Sequence, residues 1–122
     1  MSKQTPGTIP FSVFDRFALL QLLPDKGNFV TLRVIHELQQ ELSLSEEEIS
    51  AFEVIVDNAS GRVTWNQQAT EAAGPKEVSI SPIALMAILD KAQELDRREV
   101  IPANWFDLLV RLGYQGIPEK EE

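Results

Sequence analysis

An α+β fold, mainly helical with a small antiparallel β-hairpin or three-stranded sheet, is the class this sequence predicts, and three observations carry it. Ser12, Ser45 and Ser81 each stand immediately before a segment that reads as helical, as a helix-capping hydroxyl should. Between residues 52 and 65 the pattern changes to β-branched and aromatic residues around the turn-forming run Asp57, Asn58, Ala59, Ser60, Gly61. A chain of 122 residues, 43% hydrophobic and 25% charged, has material for one core. The expected organisation is a flexible lead-in over 1–11, a single domain over 12–115 and a polar tail over 116–122.

The lead-in contains Pro6, Gly7 and Pro10, which resist regular structure. Ser12 with Asp15 forms a capping-box pattern that opens a helix running to about Leu23. Phe14, Phe17, Ala18, Leu19, Leu20, Leu22 and Leu23 surround most of that helix, so it is central or lends part of itself to an interface. Pro24 and Gly27 make a turn. A second helix over about 29–42 carries Thr31, Ile35, Leu38 and Leu42 at helical spacing.

Ser45 and Glu48 form a second capping-box pattern, predicting a short helix to about Ser50. A hairpin follows, with Val63 and Trp65 on one face and Trp65 as a core anchor, then a polar connection over 66–75. Val78 and Ile80 suggest a short third strand. Ser81 before Pro82 starts a helix to about Arg97, with Leu85, Ile88, Leu89, Ala92 and Leu95 as its buried stripe. The final helix begins near Pro102. Trp105, Leu108, Leu109 and Leu112 fall at i, i+3, i+4 and i+7, and Gly113 supplies a left-handed stop.

Composition narrows the chemistry. The absence of cysteine removes disulfides, thiolate nucleophiles and cysteine-ligated metals. No apolar run reaches the ~20 residues a bilayer-spanning helix needs, and the N-terminus lacks the order of a signal peptide. His36, the only histidine, is followed by Glu37, but position 40 is Gln40, so the second ligand of a zinc-protease helix is missing. Gly27, Gly61, Gly74 and Gly113 are isolated and make no phosphate-cradling loop. Asp57, Asn58 and Ser60 resemble half a calcium loop, but strand-like residues follow. No catalytic residue, cofactor site or metal site is expected.

Charge is the sharpest feature. The formal net charge is -8, and between Glu41 and Gly61 the acids Glu41, Glu46, Glu47, Glu48, Glu53 and Asp57 are unaccompanied by Lys or Arg. Glu46, Glu47 and Glu48 also suit the first turn of a helix, where carboxylates meet the positive end of its dipole. Helix, helix, short helix and hairpin is the order of a winged-helix DNA reader, yet the reading helix would set three carboxylates against phosphates. Direct nucleic-acid or membrane binding is therefore not expected. Glu46, Glu47, Glu48, Glu53, Asp57, Trp105 and Phe106 are the candidate partner-binding residues, for a basic protein partner or for self-association.

The runs Leu22 to Leu32, Leu44 to Ile49 and Gly61 to Asn66, with the later strand and helices, resemble small bacteriophage and prophage proteins that have no assigned activity. That resemblance implies a phage-related context, cytoplasmic or virion-associated, and no catalytic residues. The segment Ile101, Pro102, Ala103, Asn104, Trp105 is less charged than its counterpart in that family. A non-enzymatic protein-interaction or assembly module is the leading expectation. The alternatives are a nucleic-acid-associated regulator acting as an acidic decoy and, last, a carboxylate-dependent metal enzyme.

Overall fold

The computed structural model describes residues 8–117, and the expectations for 1–7 and 118–122 lie outside them. The chain runs β1 (Thr8–Phe11), α1 (Val13–Leu22), α2 (Phe29–Leu42), α3 (Glu46–Ala51), β2 (Ile55–Val56), β3 (Val63–Thr64), α4 (Gln67–Ala73), β4 (Lys76–Ser79), α5 (Pro82–Arg97) and α6 (Phe106–Leu112). A 3-10 turn over Ala103–Trp105 leads into α6. The α+β class holds, with helices accompanied by two separate two-stranded antiparallel sheets among the described residues. None of these helices is long and apolar enough to cross a membrane.

The helix starts follow from their caps. The Ser12 hydroxyl accepts from the Asp15 amide while the Asp15 carboxylate accepts from the Ser12 amide, a reciprocal box that satisfies two orphan donors. Ser45 and Glu48 repeat the device at α3. Asn28 and Ser81 cap α2 and α5 with one side-chain acceptor each. Gly113 ends α6 at φ 95°, a left-handed conformation that costs a glycine little.

Four local expectations are corrected. Residues 8–11 are not a flexible lead-in: they form β1, whose Phe11 is fully buried. Pro10 is tolerated there because its carbonyl accepts from Arg111 on the edge away from β4, so its missing N–H faces the same outer side. The strand around Val78 does not extend the hairpin into a three-stranded sheet. It pairs with β1 instead, in the register Thr8 with Ser79, Ile9 with Val78, Pro10 with Glu77 and Phe11 with Lys76. The hairpin therefore lacks the third strand that would continue a winged-helix-like arrangement.

The connection over 66–75 contains α4, capped by Asn66 and terminated at Gly74. Trp65, expected in the core, is half-buried and stacks on Phe17 with ring centroids 5.3 Å apart. The core itself lies between α1, α2, α5, α6 and the β1–β4 sheet. Its fully buried members include Phe11, Leu19, Leu22, Leu42, Val78, Ile88 and Leu108. Burial of each large apolar side chain is worth about 1.5–3 kcal/mol, so this layer dominates stability. The expected central position of α1 follows: Ala18, Leu19 and Leu22 are buried, and Phe14, Leu20 and Leu23 pack against the same cluster.

Candidate functional site

Three carboxylates of the acidic stretch have hydrogen-bond partners within the chain, Glu48 partly buried and Glu53 and Asp57 at the surface. Glu48 is held by Arg16, a side chain only 3% exposed. Arg16 Nη1 and Nη2 each donate to one Glu48 carboxylate oxygen at 3.0 Å, a two-pronged ion pair. Its Nε donates to the Leu42 carbonyl at 3.0 Å and Nη2 to the Ser43 carbonyl at 2.9 Å. One guanidinium thus joins α1, the C-terminus of α2, whose last carbonyls lack helical partners, and the start of α3. The Arg16 hydrogen bond, outweighing the opposing effect of burial, holds the Glu48 carboxyl down to about 2.

Asp57 folds its own turn. Its carboxylate accepts from the Ser60 hydroxyl and the Ala59 amide, both at 3.0 Å, and these bonds lower its pKa. Glu53 sits at φ 55°, unusual for a residue with a side chain, and accepts from the Asn66 amide group at 3.3 Å. Glu46 and Glu47 are exposed in the first turn of α3. His36 is exposed and lies 3.2 Å from Gln40 Nε2, one helical turn on. Among the described residues, no group of three or more His, Asp or Glu side chains is placed to hold a metal ion.

The two aromatic candidates part company. Trp105 is 7% exposed and belongs to the core cluster, so its expected role at a partner surface is overturned. Its neighbour Phe106 points outward at 72% exposure. Phe106 borders a groove of about 550 Å³ whose walls include Ile101, Pro102, Leu109, Val110 and Tyr114. Val110, one turn along α6, is more than half exposed. The groove floor is firm, since Leu109 in its wall is buried and Leu108 and Leu112 on the opposite side of α6 are buried too.

Tyr114 closes one end of this groove. Its hydroxyl donates to Asp96 at 2.5 Å, and burial, followed by the adjacent Asp96 carboxylate, raises the phenol to about 12. On the far side of α6, Arg111 donates to Asp15 at 2.8 Å and to the Pro10 carbonyl at 3.0 Å, tying α6 to the β1–α1 junction. No buried side-chain nitrogen or oxygen among the described residues lacks a hydrogen-bond partner. The interior polar groups are thus matched to one another.

Sequence reasoning missed Arg16, Arg111 and Tyr114, whereas Val110 was legible with Phe106 as apolar surface turned toward a neighbour. Arg16 left a signal, being the only cation in the apolar helix α1. Tyr114 left none beyond its proximity to Gly113. No family model, no curated protein and no solved structure matches this chain.

Proposed function

We propose that the protein is a non-enzymatic interaction module that docks a protein partner on the outer face of α6, with Phe106 as its anchor. The single observation behind this reading is the 72% exposure of Phe106 beside an apolar groove on a well-packed helix. A large aromatic side chain left in water forgoes burial energy, whereas at an interface an aromatic seated in a desolvated pocket is the usual energetic centre. The fitting partner is apolar at the centre of its contact and basic at the rim. Asp107, whose side chain is 90% exposed with the Arg111 guanidinium 3.5 Å away, stands next to Phe106, and it is the net charge of -8 on the whole chain that favours a basic rim.

The test is affinity purification from the native host with quantitative mass spectrometry, comparing the wild type with Phe106→Ser and with the pair Glu46→Gln and Glu47→Gln. A basic protein recovered with the wild type and the glutamine pair, but lost from Phe106→Ser, is the expected result. Recovery that ignores Phe106 and depends on the two glutamates would overturn the assignment of the α6 face. Light scattering of the purified chain over a concentration range separates a second copy from a foreign partner.

A further inference from the structure

The buried cluster that forms the main core takes its members from residues 11–42 and 78–112, and none from the 43–77 excursion between them. Within residues 43–65 the one buried side chain is Phe52. Helix α3 and strands β2 and β3 contribute no buried residue. Yet this segment is well organised internally. The Val54 amide donates to Ile49 at 3.0 Å and the Asp57 amide to Arg62 at 2.8 Å within it, and the amide of Asn66, the cap of α4, donates to Phe52 at 2.7 Å where it ends. The β2–β3 ladder pairs with no other strand among the described residues.

The fastenings to the body are few and different in kind. Arg16 on α1 grips Glu48, and Phe17 on α1 stacks on Trp65. Between them lies an open apolar cleft of about 240 Å³, lined on the body side by Phe17 and Leu20 and on the other by Ile49, Val54, Val56 and Val63. Ile49 and Val56 remain exposed beside it, so the apolar part of the attachment is weak relative to the main core. A segment that is locally bonded, lies outside the core and is held to α1 by one ion pair, one ring contact and an open apolar cleft has the properties of a unit that opens by itself.

We infer that residues 44–65 form an arm that swings open and closed against α1 as one cooperative unit, with the Arg16–Glu48 pair as its latch. Opening breaks the latch and the Phe17–Trp65 stack, and uncovers the apolar strip of Phe17 and Leu20 on α1. Strands β1 and β4 and helices α2, α5 and α6 keep their packing while this happens, because no arm residue belongs to their core.

Native-state hydrogen exchange on the full chain tests the arm. Hydrogen-bonded amides of Phe52, Val54 and Asp57 should exchange with one common opening rate constant ratio, at least ~100-fold faster after correction for intrinsic rates than the central amides of α1 and α5. Glu48→Gln should accelerate the arm amides a further ~10- to 100-fold. Should that variant fail to fold, the wild-type pattern and the two tryptophans decide. With Trp105→Phe the remaining Trp65 reports the arm, and with Trp65→Phe the remaining Trp105 reports the core. The arm reporter should change at lower denaturant than the core reporter. Arm amides protected as strongly as those of α5, coincident transitions for the two reporters, or arm amides left unmoved by Glu48→Gln would each overturn the inference.

Discussion

Replacing Arg16 by Met tests how much of the fold rests on one buried guanidinium. Methionine keeps an unbranched stem of similar reach, so the packing of the Arg16 methylenes against the core is largely retained and the hydrogen bonds are what is lost. Four donor contacts disappear: two to Glu48, one to the Leu42 carbonyl and one to the Ser43 carbonyl. A hydrogen bond involving a charged group contributes about 1.5–3 kcal/mol, but the Glu48 carboxylate and the α2 carbonyls recover part of this by rehydration. The net loss expected is therefore about 3 kcal/mol, a large share of the ~5–15 kcal/mol by which a domain is usually stable. For a chain of this size it corresponds to a fall in Tm on the order of 10 °C.

The matching variant Glu48→Gln removes the ion pair but leaves Arg16 its two carbonyl acceptors, so its loss should be smaller, about 2 kcal/mol. Urea unfolding at neutral pH, with both single variants and the double variant, gives the coupling directly. A coupling of about 1–3 kcal/mol is expected for two groups in direct contact. If Arg16→Met shifts stability by less than ~0.5 kcal/mol, or if the two substitutions are additive, the clamp is ornamental and the argument for it fails.

Three further outcomes follow from the same geometry. Because the Glu48 pKa is depressed from 4.5 to about 2, its contribution is present above pH 4.5 and is lost as pH falls toward 2. Discounted for the partial exposure of the carboxylate, that contribution is on the order of 1–2 kcal/mol, measurable as an acid-limb difference between the wild type and Glu48→Gln. The chain has one tyrosine, so its phenolate absorbance reports Tyr114 alone; it should titrate near 12, and Asp96→Asn should lower that midpoint. Trp105→Ala should cost about 3–5 kcal/mol in a urea melt while Phe106→Ser stays within ~0.5 kcal/mol, since one ring fills the core and its neighbour stands in water.

What the sequence disclosed was local chemistry. Ser12, Ser45 and Ser81 announced three helices, and each accepts the amide bond its position implied. The stripes Ile35, Leu38, Leu42 and Leu108, Leu109, Leu112 proved to be buried. What stayed hidden was pairing at a distance. Strand β1 finds its partner in β4, across the intervening helices and hairpin, and no local period encodes that choice. Helix α4 was legible after the fact, with Asn66 as cap, alanines within and Gly74 at its end, but its polarity masked the signal. Trp105 falls at helical spacing with Leu108 and Leu112, so its assignment to a partner surface conflicts with the stripe, and burial resolves the conflict in favour of the stripe. The Arg16 clamp needs three elements to converge, which a linear pattern does not display.

The two apolar surfaces identified, the α6 groove and the cleft beneath the arm, differ in what supports them, and that difference separates their roles. Phe106 projects from a helix whose other face is locked into the core by Leu108 and Leu112. An anchor on such a base loses little conformational entropy when a partner arrives. The arm has no buried residue in α3 or its strands and moves as a unit, so its position would have to be fixed at the moment of binding, which weakens any contact it makes. Docking on α6 and opening of the arm should therefore be independent. Phe106→Ser should abolish partner recovery while leaving arm exchange rates unaltered, and Glu48→Gln should accelerate arm exchange while leaving partner recovery intact. A variant pair in which each substitution changes both readouts would mean that the two surfaces are coupled through the core, and the division drawn between them would be wrong.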